Sequence, residues 1–329
     1  MQQPATPVFK TDSEDTEMAS PLIVIVGPTA VGKTALAVQL CQRYNGEIVS
    51  ADSRQIYRGM DIGTAKPTPA EQAAARHHLI DLIGPDQTLG VAEYQSLAYA
   101  AIEDILRRGR LPFLVGGSGQ YVHAVVKGWQ VPRVPPDYAL RAALEAEAKR
   151  IGAYALHARL AALDPQAAAR IDYRNVRRVI RALEVCLKTG QPISAQQGAQ
   201  PPPYHILQIG LTMPREQLYR RIDARIERMM AEGLLDEVRR LMAQGYHLDL
   251  PAMSGLGYRQ LSEYLTGQIS LEEAVHRIKK ATRRFVRQQY NWFRLEDPAI
   301  HWIQVSDTDA LETASQLIAR FLGSVGSGL

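Results

Sequence analysis

Gly27-Pro28-Thr29-Ala30-Val31-Gly32-Lys33-Thr34 joins two glycines, a lysine and two threonine hydroxyls in one short turn. Backbone amides of such a turn cradle phosphate oxygens, Lys33 supplies a point charge, and the Thr34 hydroxyl can reach a magnesium ion. A phosphate-compound site is therefore expected at Gly27 to Thr34, with Mg2+ as cofactor and Thr34 as its ligand. A glycine turn that binds nothing is the alternative. It is disfavoured because every fixed position of the motif is filled and correctly flanked. A second candidate is the carboxylate of Asp52. A third is Gly116-Gly117-Ser118-Gly119, whose small residues allow a ligand to approach the backbone closely.

The flanking elements must put these groups together. Leu22 to Val26 reads as a buried strand that delivers the loop, and a helix from Ala35 through Leu40 leaves it with free N–H groups aimed at an anion. Glu47 to Asp52 reads as a second strand, so Asp52 falls at a carboxyl end, where open α/β sheets place ligands. The competing reading has Asp52 capping the next turn. Ser53 to Pro67 is too polar and glycine-rich for a core element, and a loop of that length is functional or mobile. His77 and His78 are adjacent and so point to different sides, which argues against a metal pair and for structural or phosphate contacts.

Helical spacing over Val91 to Arg108 leads to a third strand, Leu111 to Val115, and then a helix from Gln120 to about Lys127. There the alternation breaks. Asp137 to Lys188 reads as helical throughout, between the proline-rich stretches Val131 to Pro136 and Gln200 to Pro203. Strand, helix and strand patterns resume at His205 to Leu211, Glu216 to Met242, Leu271 to Phe293 and Ile300 to Val305. The expected fold is α/β: a P-loop-containing parallel sheet flanked by helices, with an all-helical insert domain. Residues 21–133 and 204–329 form the core, 134–203 the insert, and 1–20 a disordered leader.

Composition sets outer bounds. With 329 residues, 46% hydrophobic and 22% charged, the chain is that of an ordinary globular protein. Cys41 and Cys186 sit in apolar helical patterns without metal spacing, which fits core residues in a reducing compartment. The first 20 residues carry acids but no apolar run, no segment reaches membrane-spanning length, and a cytoplasmic monomer is expected. The net charge of +4 hides an asymmetry. Arg174, Arg177, Arg178 and Arg181 oppose the apolar Val176, Val179, Ile180, Leu183 and Leu187. Arg221, Arg225 and Arg228 form a second stripe. In the last long helix Lys280, Arg283, Arg284 and Arg287 oppose Ala274, Ile278, Ala281 and Phe285, with Tyr290, Trp292 and Phe293 at its end. One such stripe is ordinarily a solvated face. Three, with aromatic residues beside the last, fit RNA better.

An ordered series of blocks carries a resemblance. It runs GPTAVGKT at 27–34, DSRQIYRGMDIGTAKP at 52–67, HHLID at 77–81, GGSGQY at 116–121 and RIDYRNVRRVIRALEV at 170–185. It continues with TGQPIS at 189–194, GLLDEV at 233–238, GYRQ at 257–260 and TRRFVRQQYNWF at 282–293. In these blocks the chain resembles the tRNA dimethylallyltransferases, also called tRNA isopentenyltransferases, from Pro21 to Phe293. Two positions depart from the family pattern: Gln120 replaces an apolar residue, and Gln288 stands where a basic residue is usual.

The resemblance implies transfer of a dimethylallyl group from dimethylallyl diphosphate to the exocyclic amine of the adenine just 3′ of the anticodon. Lys33 and Thr34 with magnesium would neutralise the leaving diphosphate, and Asp52 would accept the amine proton. Ser118 would orient the reacting groups and Arg221 would contact the diphosphate. Asp52, Ser53, Arg54 and Gln55, residues Arg177, Arg178, Val179, Ile180 and Arg181, and Arg283 with Arg287 would contact tRNA. A kinase or ATPase is the first rival, but its strand-end metal-binding aspartate is missing, since Val115 runs into Gly116-Gly117. A nucleotide-switched RNA binder and a free-adenine-nucleotide prenyltransferase are the others. The arginine-rich faces favour a larger substrate.

Overall fold

The computed structural model describes residues 20–307 and 309–326. The leader expected at 1–20 lies outside them, apart from Ser20. That residue opens β1 (Ser20–Val26). β2 (Gly46–Ser50), β3 (His77–His78), β4 (Leu111–Val115), β7 (Tyr204–Thr212) and β8 (Ile300–Gln304) join it in one parallel sheet, ordered β3-β2-β4-β1-β7-β8. Leu22 to Val26 are buried on both faces, as expected for a continuous apolar run in a sheet covered by helices on each side.

Register then decides what meets what. Ile25 is paired with Val115, and Val115 with Ser50, so three strands end in one row. Being parallel, they deliver the phosphate loop, Asp52 and the Gly116 turn to the same edge. Hydrogen bonds past the strand ends stitch the turns: Ala51 N–H to Val115 O (2.8 Å), Gly116 N–H to Ile25 O (3.1 Å) and Ser118 N–H to Ala51 O (3.2 Å).

The insert differs in detail from the continuous helix expected over Asp137 to Lys188. It forms separate helices at Tyr138–Ile151, Ala153–Leu163, Pro165–Arg170 and Val176–Thr189. Gly152 (φ 88°) breaks the first junction, while Asp164 and Asn175 cap the third and fourth helices. These helices bury their own cluster, among it Leu144, Leu156, Leu160, Val179, Ile180, Leu183 and Cys186. A short antiparallel pair, β5 (Trp129–Gln130) with β6 (Gly198–Ala199), closes the neck. Cys41 is buried too, so both thiols are the core residues expected. Among the described residues no helix is long and apolar enough to cross a membrane.

Candidate active site

The phosphate loop turns directly into the helix Lys33–Tyr44. Gly27 holds φ 141°, and a Cβ there would stand 2.5 Å from Leu211 O, so only glycine fits beside β7. Thr29, Ala30, Gly32, Lys33 and Thr34 line a cleft of about 710 Å³. Gly27, Pro28 and Val31 are buried beneath it. The Lys33 ammonium donates to Gly27 O (3.0 Å) and Pro28 O (2.9 Å). Burial pulls its pKa from 10.5 down to about 8, against the upward pull of Asp52 and with help from Arg225. A lysine so placed is easily recharged by an incoming anion.

A second cavity, of about 480 Å³, is lined by Ser53, Arg54, Ser118, Tyr121, Ile226, Phe285 and Trp292 among others. The two share Thr29, Asp52, Thr64, Arg225 and Met229. Asp52 thus stands where they meet. Its Oδ1 also accepts the Arg54 N–H (2.8 Å), so the turn-capping role and the site position are both present. Ser118 Oγ accepts the Ser53 N–H (2.9 Å) and donates to Ser53 Oγ (3.2 Å). Gln55 accepts from Ser50 Oγ (3.0 Å) and donates to Ala65 O (3.1 Å), and Arg54 donates to Pro251 O (2.9 Å).

The polar loop after Asp52 is tethered. Buried Glu237 accepts the N–H groups of Asp61 (2.9 Å), Ile62 (2.9 Å) and Gly63 (3.1 Å) together with the Tyr258 hydroxyl (2.6 Å). Lys66 is 4% exposed and ties Tyr57 O to the carboxylates of Asp61 and Asp81. Of the two roles expected for His77 and His78 the structural one is seen, since they bond Ala75 O and Glu47.

Several expectations are corrected. Arg221 is exposed and lines neither cavity, whereas Arg225, one turn on, lines both. The Arg225 guanidinium donates to Thr29 Oγ1 (2.9 Å); burial lowers its pKa, opposed by Asp52. The helix Arg215–Ala231 buries Leu218, Ile222 and Met229, and position 225 continues that stripe at helical spacing. An arginine inside an apolar stripe is the signal that could have found it. Val179 and Ile180 are core residues of the insert, 0% and 3% exposed, so their side chains meet no tRNA. Arg181 is tied to Glu184 (2.5 Å) and Val134 O (3.0 Å). Arg283 pairs with Asp223 and covers the Tyr219 ring, and Arg287 reaches Tyr219 OH (3.5 Å). Arg177 and Arg178 are exposed and make no side-chain hydrogen bond or ion pair among the described residues.

The glycines at 116–119 line the cavities as expected, Gly116 the first and Gly117 and Gly119 the second, and two of them also carry a packing contact. A Cβ on Gly117 would lie 2.2 Å from Gln289 Nε2, and one on Gly119 2.1 Å from Trp292 Cγ. What approaches them closely is the helix Leu271–Trp292. Gln289, buried in that helix, accepts the Thr29 N–H (2.8 Å) and donates to Gly117 O (3.1 Å), bridging two of the turns. The buried stripe of that helix is Ala274, Ile278, Thr282, Val286 and Gln289, polar at two positions, which hides Gln289 in the sequence.

Among the described residues no cluster of histidine, cysteine, aspartate and glutamate could hold a metal ion by itself. The Thr34 hydroxyl and Asp52 carboxylate on one cleft are hard oxygen donors. That set suits magnesium, which takes few protein ligands and shares the rest with substrate phosphate and water.

A family model described as IPP transferase matches residues 55–296. The chain is 59% identical over 302 residues to a tRNA dimethylallyltransferase of Roseiflexus sp. strain RS-1, covering 92% of this chain and 99% of that one. It is 60% identical over 273 residues to that of Chloroflexus aggregans, covering 83% and 92%. Among solved structures, the tRNA isopentenylpyrophosphate transferase of Bacillus halodurans superposes with TM-score 0.70 at 42% identity, over 94% of this chain and 98% of that one. A eukaryotic dimethylallyltransferase acting on tRNA gives TM-score 0.79 at 26% identity, over 93% and 80%. The ordered motifs, the sheet that assembles them and these likenesses agree, and the chain belongs to the tRNA dimethylallyltransferase family.

Proposed function

We propose that the protein transfers a dimethylallyl group from dimethylallyl diphosphate to the exocyclic amine of the adenine 3′-adjacent to the anticodon of tRNA, releasing diphosphate. The observation that carries this reading is the meeting of two compartments at Asp52, one floored by the phosphate loop and one walled by apolar and aromatic side chains. The diphosphate would lie against Lys33 and Arg225. The adenine, drawn out of its stack, would enter beside Tyr121 and Trp292. As the amine nitrogen bonds the allylic carbon, the carbon–oxygen bond to diphosphate breaks and the amine proton passes to Asp52. Lys33 and Arg225 hold the charge that develops on the leaving group. Magnesium, held by Thr34 and phosphate oxygens, would supply further charge neutralisation. Ser118 acts through Ser53, fixing the segment that carries Asp52.

Residues 134–203 would serve as the tRNA-contacting insert of a monomer, working in the cytoplasm where its substrate is. A test of the whole reading is diphosphate release. It should require tRNA and dimethylallyl diphosphate together, and ATP turnover in place of it would support the kinase alternative.

Two further outcomes follow. Lys33 loses its charge as pH rises through about 8. Affinity of the empty site for diphosphate should therefore fall above that pH, by up to about tenfold per pH unit. Calorimetry of Lys33→Arg, whose guanidinium stays charged, supplies the reference in which diphosphate's own titration cancels; identical profiles would remove Lys33 from the site. The basic face should split. Arg177→Ala is expected to lower the logarithmic salt slope of tRNA binding by roughly 0.7 to 0.9 with stability unchanged. Arg181→Ala uncovers Glu184, a fully buried carboxylate that also accepts from Arg141 and Asp137 N–H. It should lose about 1–3 kcal/mol in denaturant melts, and equal behaviour of the two variants would contradict this assignment.

A further inference from the structure

We propose that Tyr154 and Tyr173, side by side on the surface of the helical insert, form a stacking platform for an unpaired base of the tRNA other than the adenine that is modified. This rests on the tRNA reading above and adds a contact that the phosphate-binding arginines do not supply. Tyr154, near the start of the helix Ala153–Leu163, is 73% exposed, and Tyr173, in the turn before Val176–Thr189, is 42% exposed. Their ring centroids stand 5.7 Å apart at 81°, an edge-to-face pair that leaves a face of Tyr154 open. The Arg174 guanidinium lies 5.8 Å from the Tyr173 centroid and is held there by Asp172 through a short ion pair of 2.6 Å.

Large aromatic side chains are rarely left together in water without a partner. The surroundings say which partner. Arg170, Arg177 and Arg178 are exposed and make no side-chain hydrogen bond or ion pair among the described residues. Exposed aromatic rings in a segment that also carries unpaired arginines, at 170, 177 and 178, match how proteins hold single-stranded nucleic acid: phosphates go to the cations and bases to the rings. The bases of a tRNA loop supply the first and its backbone the second. Asp172, the exposed carboxylate beside the pair, is already tied to Arg174.

The test uses the full chain with an anticodon stem-loop that carries a fluorescent adenine analogue at each loop position in turn, outside the target. Wild-type protein should quench one such position. Tyr154→Ala with Tyr173→Ala should abolish that quench and weaken binding by about tenfold or more, with the salt slope unchanged, because stacking releases no counterions. Tyr154→Phe with Tyr173→Phe should restore both, and melting should be unaltered in every variant since the rings are exposed. Wild-type affinity and quench in the double alanine variant would overturn the proposal, as would a loss that phenylalanine does not rescue. Prenyl transfer at saturating tRNA is followed in parallel. It should persist in the double alanine variant, and its absence from wild-type protein would sink the functional reading and not this one.

Discussion

Single-turnover prenyl transfer should slow by about 100-fold or more when Asp52 is replaced by Asn, while both substrates still bind. The amide keeps an oxygen to accept the Arg54 N–H, so the turn that presents residue 52 survives. What is lost is the proton acceptor at the junction of the two cavities. A second consequence follows from charge. Asp52 raises the pKa of both Lys33 and Arg225 against the lowering effect of burial. Without it Lys33 should lose its proton below the wild-type value, so the alkaline loss of diphosphate binding moves to lower pH. Rapid-quench rates with calorimetry across pH measure both. A near-normal single-turnover rate would take Asp52 out of the chemistry.

Arg225→Met should lower kcat/KM for the donor by about 100- to 1000-fold, and Arg221→Met should leave it near wild type. The two arginines sit one turn apart on one helix, share a charge and differ in direction. Arg225 is in both cavities and bonds Thr29 Oγ1, so its removal takes charge from the leaving group and a tether from the phosphate loop. Methionine fills similar space within the buried stripe, which limits damage to the fold. Steady-state kinetics on the pair checks the assignment. Equal losses would mean that the helix contributes only net charge.

The contrast also marks what could be read from the chain. Strand, loop and helix around Gly27 to Thr34 were legible because the apolar run, the glycines and the Lys-Thr pair each obey a local rule. Asp52 was legible because a strand in a parallel sheet must end beside its neighbours, and the row Ile25, Val115, Ser50 bears that out. Gln289 was not, since a polar residue on a buried stripe looks like noise until one knows what the stripe faces, and the signal at Arg225, its spacing with Leu218, Ile222 and Met229, was masked by Arg221 and Arg228, which make it look like one of a basic stripe. Val179 and Ile180 lie in one sequence block with Arg177, Arg178 and Arg181, but a helix sends adjacent residues to different sides and these two face the core. The breaks in the insert at Gly152 and Asp164-Pro165 were submerged in an alanine-rich pattern that favours helix on either side. The helix Tyr258–Leu265 and the two-residue strands β3, β5 and β6 are short and depend on tertiary partners.

The most direct measurement is mass analysis of the anticodon fragment cut from tRNA after incubation with the protein, magnesium and dimethylallyl diphosphate. The account predicts a gain of one dimethylallyl unit on the adenine 3′-adjacent to the anticodon, absent when the donor is withheld and strongly reduced with Asp52→Asn. An unmodified fragment under conditions where tRNA and donor are both bound would contradict it.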